Sequence, residues 1–180
     1  MPTIPAENDQ RILLLRLGSL GDIVHALPAA AVLRNTFPNA RLDWAVDPKW
    51  TRLLAGNPDL TNVIVADRKS AAAILKTVKQ LRAANYTCAI DFQGLYKSAF
   101  LAFASGSARR IGFERTYARE GFASWLYTER FNPRGAHKVE HNLTLAQAAG
   151  GQKSVPRFPI TIFEADELRL AAEQIGRAHV

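Results

Sequence analysis

Short apolar runs and longer stretches of helical spacing alternate along this chain. Arg11 to Leu17 reads RILLLRL, a nearly continuous apolar run of the kind that fills a strand covered on both faces. Similar runs follow at 41–46, 62–66 and 86–92, with a shorter one at 109–113. Between them the period changes to that of helices. Ile23, Leu27, Ala30, Ala31 and Leu33 share a broad face over 23–37, with Pro28 expected to kink or loosen that helix beyond its first turn. A short helix is expected near 49–55. A strongly amphipathic one covers 70–84, with Ile74, Leu75, Val78 and Leu81 on one side, and another covers 95–104. One helix is expected around 119–127 and a clear one over 139–149, ended by Gly150-Gly151. Residues 158–163 have the composition of one more strand, and a further helix starts near 165.

This alternation predicts an α/β fold: a Rossmann-like parallel sheet with helices on both faces. The chain divides into a polar lead over 1–10, a Rossmann-like domain over 11–155, and the truncated start of a linker or second domain over 156–174. Residues 175–180 (IGRAHV) match one reading frame of a common sequencing-adapter oligonucleotide and are expected to be an artefact.

Composition narrows the partners. With 180 residues, 48% hydrophobic and 22% charged, the chain can bury one good core and is not of disordered composition. A single cysteine, Cys88, excludes an intrachain disulfide and a cysteine-based zinc site, and it fits a reducing compartment. No secretory signal is read in the first ten residues, and no apolar stretch approaches the about 20 residues of a spanning helix. The net charge is +7, and the segment from Arg109 to Lys138 supplies +4 of it, seven bases standing against three acids. Such an excess points to an anionic partner: phosphates on a small molecule, a lipid surface or nucleic acid. Trp44, Trp50 and Trp125 are not interleaved with bases in the way of a single-strand stacking platform.

Two polar clusters fall at strand-to-helix junctions, where open α/β sheets bind ligands. Gly18-Ser19-Leu20-Gly21-Asp22 joins the first strand to the first helix. Its glycines permit close approach of a ligand, and the helix N-terminus behind it favours anions. The spacing is neither that of a dinucleotide fingerprint nor that of a phosphate loop. Asp22 has two readings: a helix N-cap, or a general base that takes a proton from a hydroxyl nucleophile. The second cluster runs from Asp91 to Ser98 (DFQGLYKS). Here Asp91 or Gln93 can bond a sugar hydroxyl and Lys97 can meet a phosphate or carboxylate; the alternative is a capped turn with a solvated lysine. Further on, HKVEH places His137 and His141 four residues apart around Glu140. The sequence offers no further ligand to make this a metal motif, and structural histidines are the expectation. His25 reads as helix packing or as a polar group behind the loop.

The segment RILLLRLGSLGDIVHALPA resembles the N-terminal signature of glycosyltransferase family 9, the bacterial lipopolysaccharide heptosyltransferases. DFQGLYKSA, TYAREGFASWLY and HKVEH extend the similarity, in that order, to about residue 150. His25 after GDIV, the QGLxKSA block and the TxARE block are most similar to the heptosyltransferase I branch. The resemblance implies the N-terminal, acceptor-binding domain of a GT-B enzyme, with most of the ADP-heptose site in a C-terminal domain beyond residue 180. It implies transfer of heptose from ADP-heptose to Kdo of the lipid A inner core, with inversion, by a protein of which this fragment is inactive alone. Asp22 matches the family's proposed catalytic base, in the cleft loop of Gly18, Ser19, Leu20 and Gly21. Arg119 matches an acceptor-binding base, as do Lys97, Gln93, His137 and Glu140 other acceptor-side positions, and Arg68 with Lys69 falls near a basic acceptor stretch. His141 stands where the resemblance predicts arginine. No metal or other cofactor is implied. The implied partners are Kdo–lipid A, ADP-heptose through the second domain, and the inner face of the inner membrane, touched peripherally from the cytoplasm, with no specific nucleic acid.

Physics adds one tension: a helix N-terminus makes Asp22 a weak base until the cleft closes and desolvates it. Two other readings stand beside the first. One is a basic Rossmann-like module for nucleic acid or anionic surfaces, whose affinity would fall steeply with salt. The other is a family 9 transferase with a different acceptor.

Overall fold

The computed structural model describes residues 10–161. Six strands form one sheet in the order β3-β2-β1-β4-β5-β6, and every neighbouring pair is parallel. The strands are β1 (Arg11–Leu15), β2 (Arg41–Val46), β3 (Asn62–Val65), β4 (Cys88–Asp91), β5 (Arg109–Phe113) and β6 (Glu129–Phe131). The helices are α1 (Leu20–Thr36), α2 (Thr51–Leu54), α3 (Ala71–Ala83), α4 (Tyr96–Ala104) and α5 (Lys138–Ala148).

The continuous apolar character of β1 follows from its place at the centre. Ile12 and Leu14 join Trp44, Val46, Ile90 and Ile111 in a core on one face, under α1 and α5. Leu13 and Leu15 join Ala45, Ile64, Ala89 and Leu101 on the other, beneath α3 and α4. Both faces are covered, so polar alternation has no place in β1. Asp43 is the exception within β2. It is fully buried, and its carboxylate accepts hydrogen bonds from Tyr86 Oη at 2.6 Å, Arg41 Nε at 2.8 Å and Asn62 Nδ2 at 2.8 Å. Those bonds offset the cost of burying a charge.

The expected alternation is present, with four local differences. α1 begins at Leu20 and runs without a break through Pro28, whose ring is buried. The segment around 119–127 forms a 3₁₀ turn over Gly121–Leu126 rather than an α-helix. Its three-residue period brings Phe122 and Trp125 to one side while Ala123 packs inward beside Ala99 and Tyr127. The three-residue strand β6 is too short and too charged to stand out in the sequence. Residues 158–161 form no strand. Pro156 and Pro159 remove backbone donors there, and the segment is held by side chains: Asn57 Nδ2 donates to the Pro159 carbonyl at 2.8 Å and Thr161 Oγ1 to the Gly56 carbonyl at 2.7 Å. The helix near 165 and residues 175–180 lie outside the described residues, as does most of the polar lead.

Gly112 in β5 lies directly under the Tyr127 ring, so a side chain there would overlap it. Gly112→Ala is expected to cost about 1–3 kcal/mol, the usual penalty of an overpacked site, read as a lower urea midpoint. An unchanged midpoint would show that the ring yields freely.

Candidate active site

The carboxyl end of β1 carries a base that the sequence hides inside an apolar run. Arg16 follows the strand and is buried; its Nη1 donates to the Phe92 carbonyl and its Nη2 lies 2.6 Å from Asp22 Oδ2. Asp22 sits in the first turn of α1. Its Oδ2 also accepts from the Ser19 N–H at 3.3 Å and from Ser19 Oγ at 3.2 Å. The N-cap is therefore Ser19, in extended conformation, and Asp22 is the third helical residue reaching back to it. Arg119 Nη1 stands 3.7 Å from the same Oδ2, on a side chain that is 63% exposed. All these contacts fall on Oδ2, and Oδ1 has no protein partner among the described residues.

Burial alone would raise the Asp22 carboxyl. The Arg16 charge and the hydrogen bonds from Ser19 and Arg16 outweigh it and hold the group below the ordinary carboxylate range. Asp22 is thus ionised at neutral pH, between one fixed and one solvent-facing guanidinium.

A second loop locks onto the first. Leu17 N–H donates to Gln93 Oε1 at 2.7 Å. Asp91, at the end of β4, is fully buried and accepts from Gln93 N at 2.8 Å, Gly94 N at 3.3 Å, Ser98 Oγ at 2.7 Å and Tyr127 Oη at 2.7 Å. Burial pushes the Asp91 carboxyl up, and the four donors oppose it. Burial and the Asp91 charge push the Tyr127 phenol up. This carboxylate is saturated from within and has no capacity left for the sugar hydroxyl that the sequence suggested. Gly94 has φ +67°, and a side chain on it would meet Ala118 and the Arg119 amide at 3.2 Å. That close approach, with Glu120 N–H donating to the Gly94 carbonyl at 2.9 Å, brings Arg119 to the loop.

Asp22, Gln93 and Arg119 line one cavity of about 370 Å³ together with Arg16, His25, Lys138 and His141. Arg68 and Lys97 line a separate groove of about 810 Å³, whose walls include Ile74, Tyr96 and Phe100. Arg68 there bonds Asp47 at 2.8 Å. His137 is the N-cap of α5: its Nδ1 accepts from Val139 N–H at 3.2 Å, and its own N–H donates to Glu140 at 2.9 Å. That amide holds the exposed Glu140 carboxyl below its usual range. The His137 ring meets His25 edge-on at 5.2 Å. His141 faces the Asp22 cavity, with Nε2 3.2 Å from the Gly135 carbonyl. Among the described residues no three His, Cys, Asp or Glu side chains gather as metal ligands. Two cavity residues, Arg16 and Lys138, were not picked out as site residues by sequence reasoning. The signal for Arg16 was a charged residue inside RILLLRL, which a two-faced strand tolerates only when the charge is paired.

A parallel sheet whose strand ends carry an ionised carboxylate among guanidinium and ammonium groups is suited to activating a hydroxyl on an anionic substrate. The chain belongs to glycosyltransferase family 9 (heptosyltransferase), whose family model matches residues 74–176. It is similar to lipopolysaccharide heptosyltransferase 1 of Pseudomonas aeruginosa, 34% identical over 150 residues, which cover 77% of this chain and 42% of that protein. The Escherichia coli K12 lipopolysaccharide heptosyltransferase 1 is 30% identical over 155 residues, 79% of this chain and 49% of the relative. The solved E. coli heptosyltransferase WaaC with ADP matches with a TM-score of 0.72 and 28% identity, over 83% of this chain and 50% of that one. The chain thus spans about half the length of the relatives it matches.

The depressed Asp22 carboxyl predicts an acid-sensitive fold. Its contribution is present above the unfolded-state value near about 4 and is lost as pH falls through the lower folded value. Asp22→Asn leaves Arg16 buried without its counter-charge and is expected to cost about 1–2 kcal/mol at pH 7, discounted for solvent at the carboxylate. Urea midpoints of the two proteins are expected to converge as pH falls through the lowered folded-state value of Asp22. A constant gap would mean that the pair contributes no net stability.

Proposed function

We propose that this chain is the acceptor-side half of a heptosyltransferase that moves heptose from ADP-heptose to a Kdo hydroxyl of the lipid A inner core. The observation that carries this reading is the Asp22 carboxylate, ionised and open at Oδ1, in a cavity that Arg16, Arg119 and Lys138 make attractive to anions. The family and the likeness to an enzyme solved with ADP support the donor assignment. In this reading most of the ADP-heptose site lies in a C-terminal domain that this half faces.

In this mechanism Arg119 and Lys138 hold a carboxylate or phosphate of the acceptor and set its hydroxyl beside Asp22. Asp22 takes the hydroxyl proton as the oxygen attacks the anomeric carbon from the face opposite the diphosphate. The new C–O bond forms, the bond to the diphosphate breaks with its electron pair going to ADP, and the configuration inverts. An acceptor anion that draws Arg119 away, together with cleft closure that excludes water, makes Asp22 a stronger base at the moment it is needed. Arg68 and Lys97, in the neighbouring groove, bind more distant phosphates of the same acceptor. Gln93 positions the loop through Leu17, and His137 with Glu140 fixes the start of α5 beside the cavity. The reaction uses no metal. The protein works from the cytoplasm against the inner face of the membrane that holds the acceptor.

The test is calorimetric titration of the chain with Kdo–lipid A, with ADP-heptose and a generic polyanion as controls. Selective acceptor binding is expected, weakened about ten- to hundredfold by Arg119→Ala, the loss of one charged hydrogen bond. Equal binding to every polyanion, abolished by salt, would sink the reading. In the full-length enzyme, Asp22→Asn is expected to abolish transfer and leave acceptor affinity nearly unchanged; normal turnover would remove Asp22 as the base.

A further inference from the structure

Away from the Asp22 cavity and continuous with the groove of Arg68 and Lys97, the structure displays large aromatic side chains to solvent. Tyr96, Phe100 and Phe103 recur at helical spacing along the outer face of α4, the last of them 51% exposed. Phe122 and Trp125 stand on the adjoining 121–126 turn, 61% and 64% exposed, with their rings edge-to-face at 5.1 Å. The two elements form one unit, because Ala99, Ala123 and Tyr127 pack beneath them as a small buried core.

Cations are threaded through this surface. The Arg110 guanidinium lies 5.6 Å from the Phe103 ring, and its Nε donates to the Leu126 carbonyl at 2.8 Å, bridging α4 to the turn. Arg115 lies 5.7 Å from the Phe122 ring. Lys97, Tyr96 and Phe100 continue the surface into the groove that holds Arg68. Between Tyr96 and Leu126 five bases stand against two acids, and one of those acids, Glu120, is engaged by the Tyr96 N–H at 2.6 Å. Aromatic rings at the level of lipid carbonyls, with guanidinium groups beside them reaching phosphates, are the chemistry of an interfacial membrane surface.

We infer that the outer face of α4 and the 121–126 turn dock on an anionic phospholipid bilayer, with Phe122 and Trp125 entering the interface and Arg110 and Arg115 on the headgroup phosphates. This rests on the lipid-acceptor reading above for its setting, but its observations are separate from the Asp22 cavity. A lipid acceptor lying in the same bilayer would then meet the groove through Tyr96 and Phe100 before its sugar reaches Asp22.

The experiment is co-sedimentation of the full chain with vesicles of phosphatidylcholine alone or with phosphatidylglycerol added, neither containing glycolipid. Binding is expected only with the anionic lipid, with tryptophan fluorescence quenched by brominated acyl chains. Phe122→Ser combined with Trp125→Ser is expected to lower partitioning at least about tenfold, the factor that burial of one aromatic side chain already supplies, with unchanged circular dichroism. Arg110→Gln and Arg115→Gln are expected to weaken the dependence on phosphatidylglycerol. Equal partitioning of wild type and the aromatic variant, or no partitioning of either, would overturn the inference. Self-association of the wild type that the variant loses would overturn it too, assigning the face to a second copy. Binding of detergent-solubilised Kdo–lipid A keeps the two readings apart: retained acceptor binding without vesicle binding defeats only the membrane surface, and the converse defeats only the acceptor.

Discussion

The carboxyl end of this sheet is organised around a guanidinium held out of water. Burying an arginine costs several kcal/mol unless its donors are met; Arg16 places its two Nη groups on two different loops, while its buried Nε has no partner among the described residues. One hand donates to the Phe92 carbonyl after β4, and the other holds Asp22 at 2.6 Å after β1. The ion pair is therefore also a clamp between the two loops that form the cavity floor. Because Arg16 is fixed, it sets a constant field on Asp22. Arg119, mostly exposed and 3.7 Å away, is the looser of the two cationic partners.

Three carboxylates on the sheet and its loops show how surroundings divide their work. Asp43 and Asp91 are fully buried, and each spends its acceptors on protein donors, among them a tyrosine hydroxyl in both cases. Neither has room for a substrate; they hold strands and loops in register. Asp22 keeps solvent access and, among the described residues, one oxygen without a protein partner, so it alone of the three is available to chemistry. The thiol of Cys88 follows the same logic as the interior acids: burial pushes it up to about 12, leaving an unreactive core residue.

Much of this architecture is legible in periodicity. The runs around 11–17, 41–46 and 86–92 mark buried parallel strands, because a short segment that is apolar on both faces has to be covered on both. The loop at 18–22 is legible as a strand-to-helix junction that carries a carboxylate, Asp22. Periodicity is blind to residues whose role depends on a distant partner. Arg16 looks like strand core until the Phe92 carbonyl and Asp22 are placed around it. Asp91 and Gln93 look alike as sugar ligands, yet one is saturated by four donors and the other ties down Leu17. Lys97 and Arg119 both read as acceptor-side bases, yet they fall in different cavities, a separation no spacing rule contains. The 3₁₀ turn at 121–126 depends on Tyr127 being drawn into the Asp91 site, which local propensity does not encode.

The two outer strands have a further consequence. β6 is three residues long and alternates Glu129, Arg130 and Phe131, with Glu129 paired to Arg109 at 2.7 Å; β3 is four residues long and opens with Asn62 bonded to Asp43. Edges this short and this engaged offer a poor template for an incoming strand. The sheet is closed to growth in its own plane, so the fold resists strand-swapped and fibrillar association. Any second unit must approach the ends of the strands, where Asp22 lies, or the outer faces of the helices.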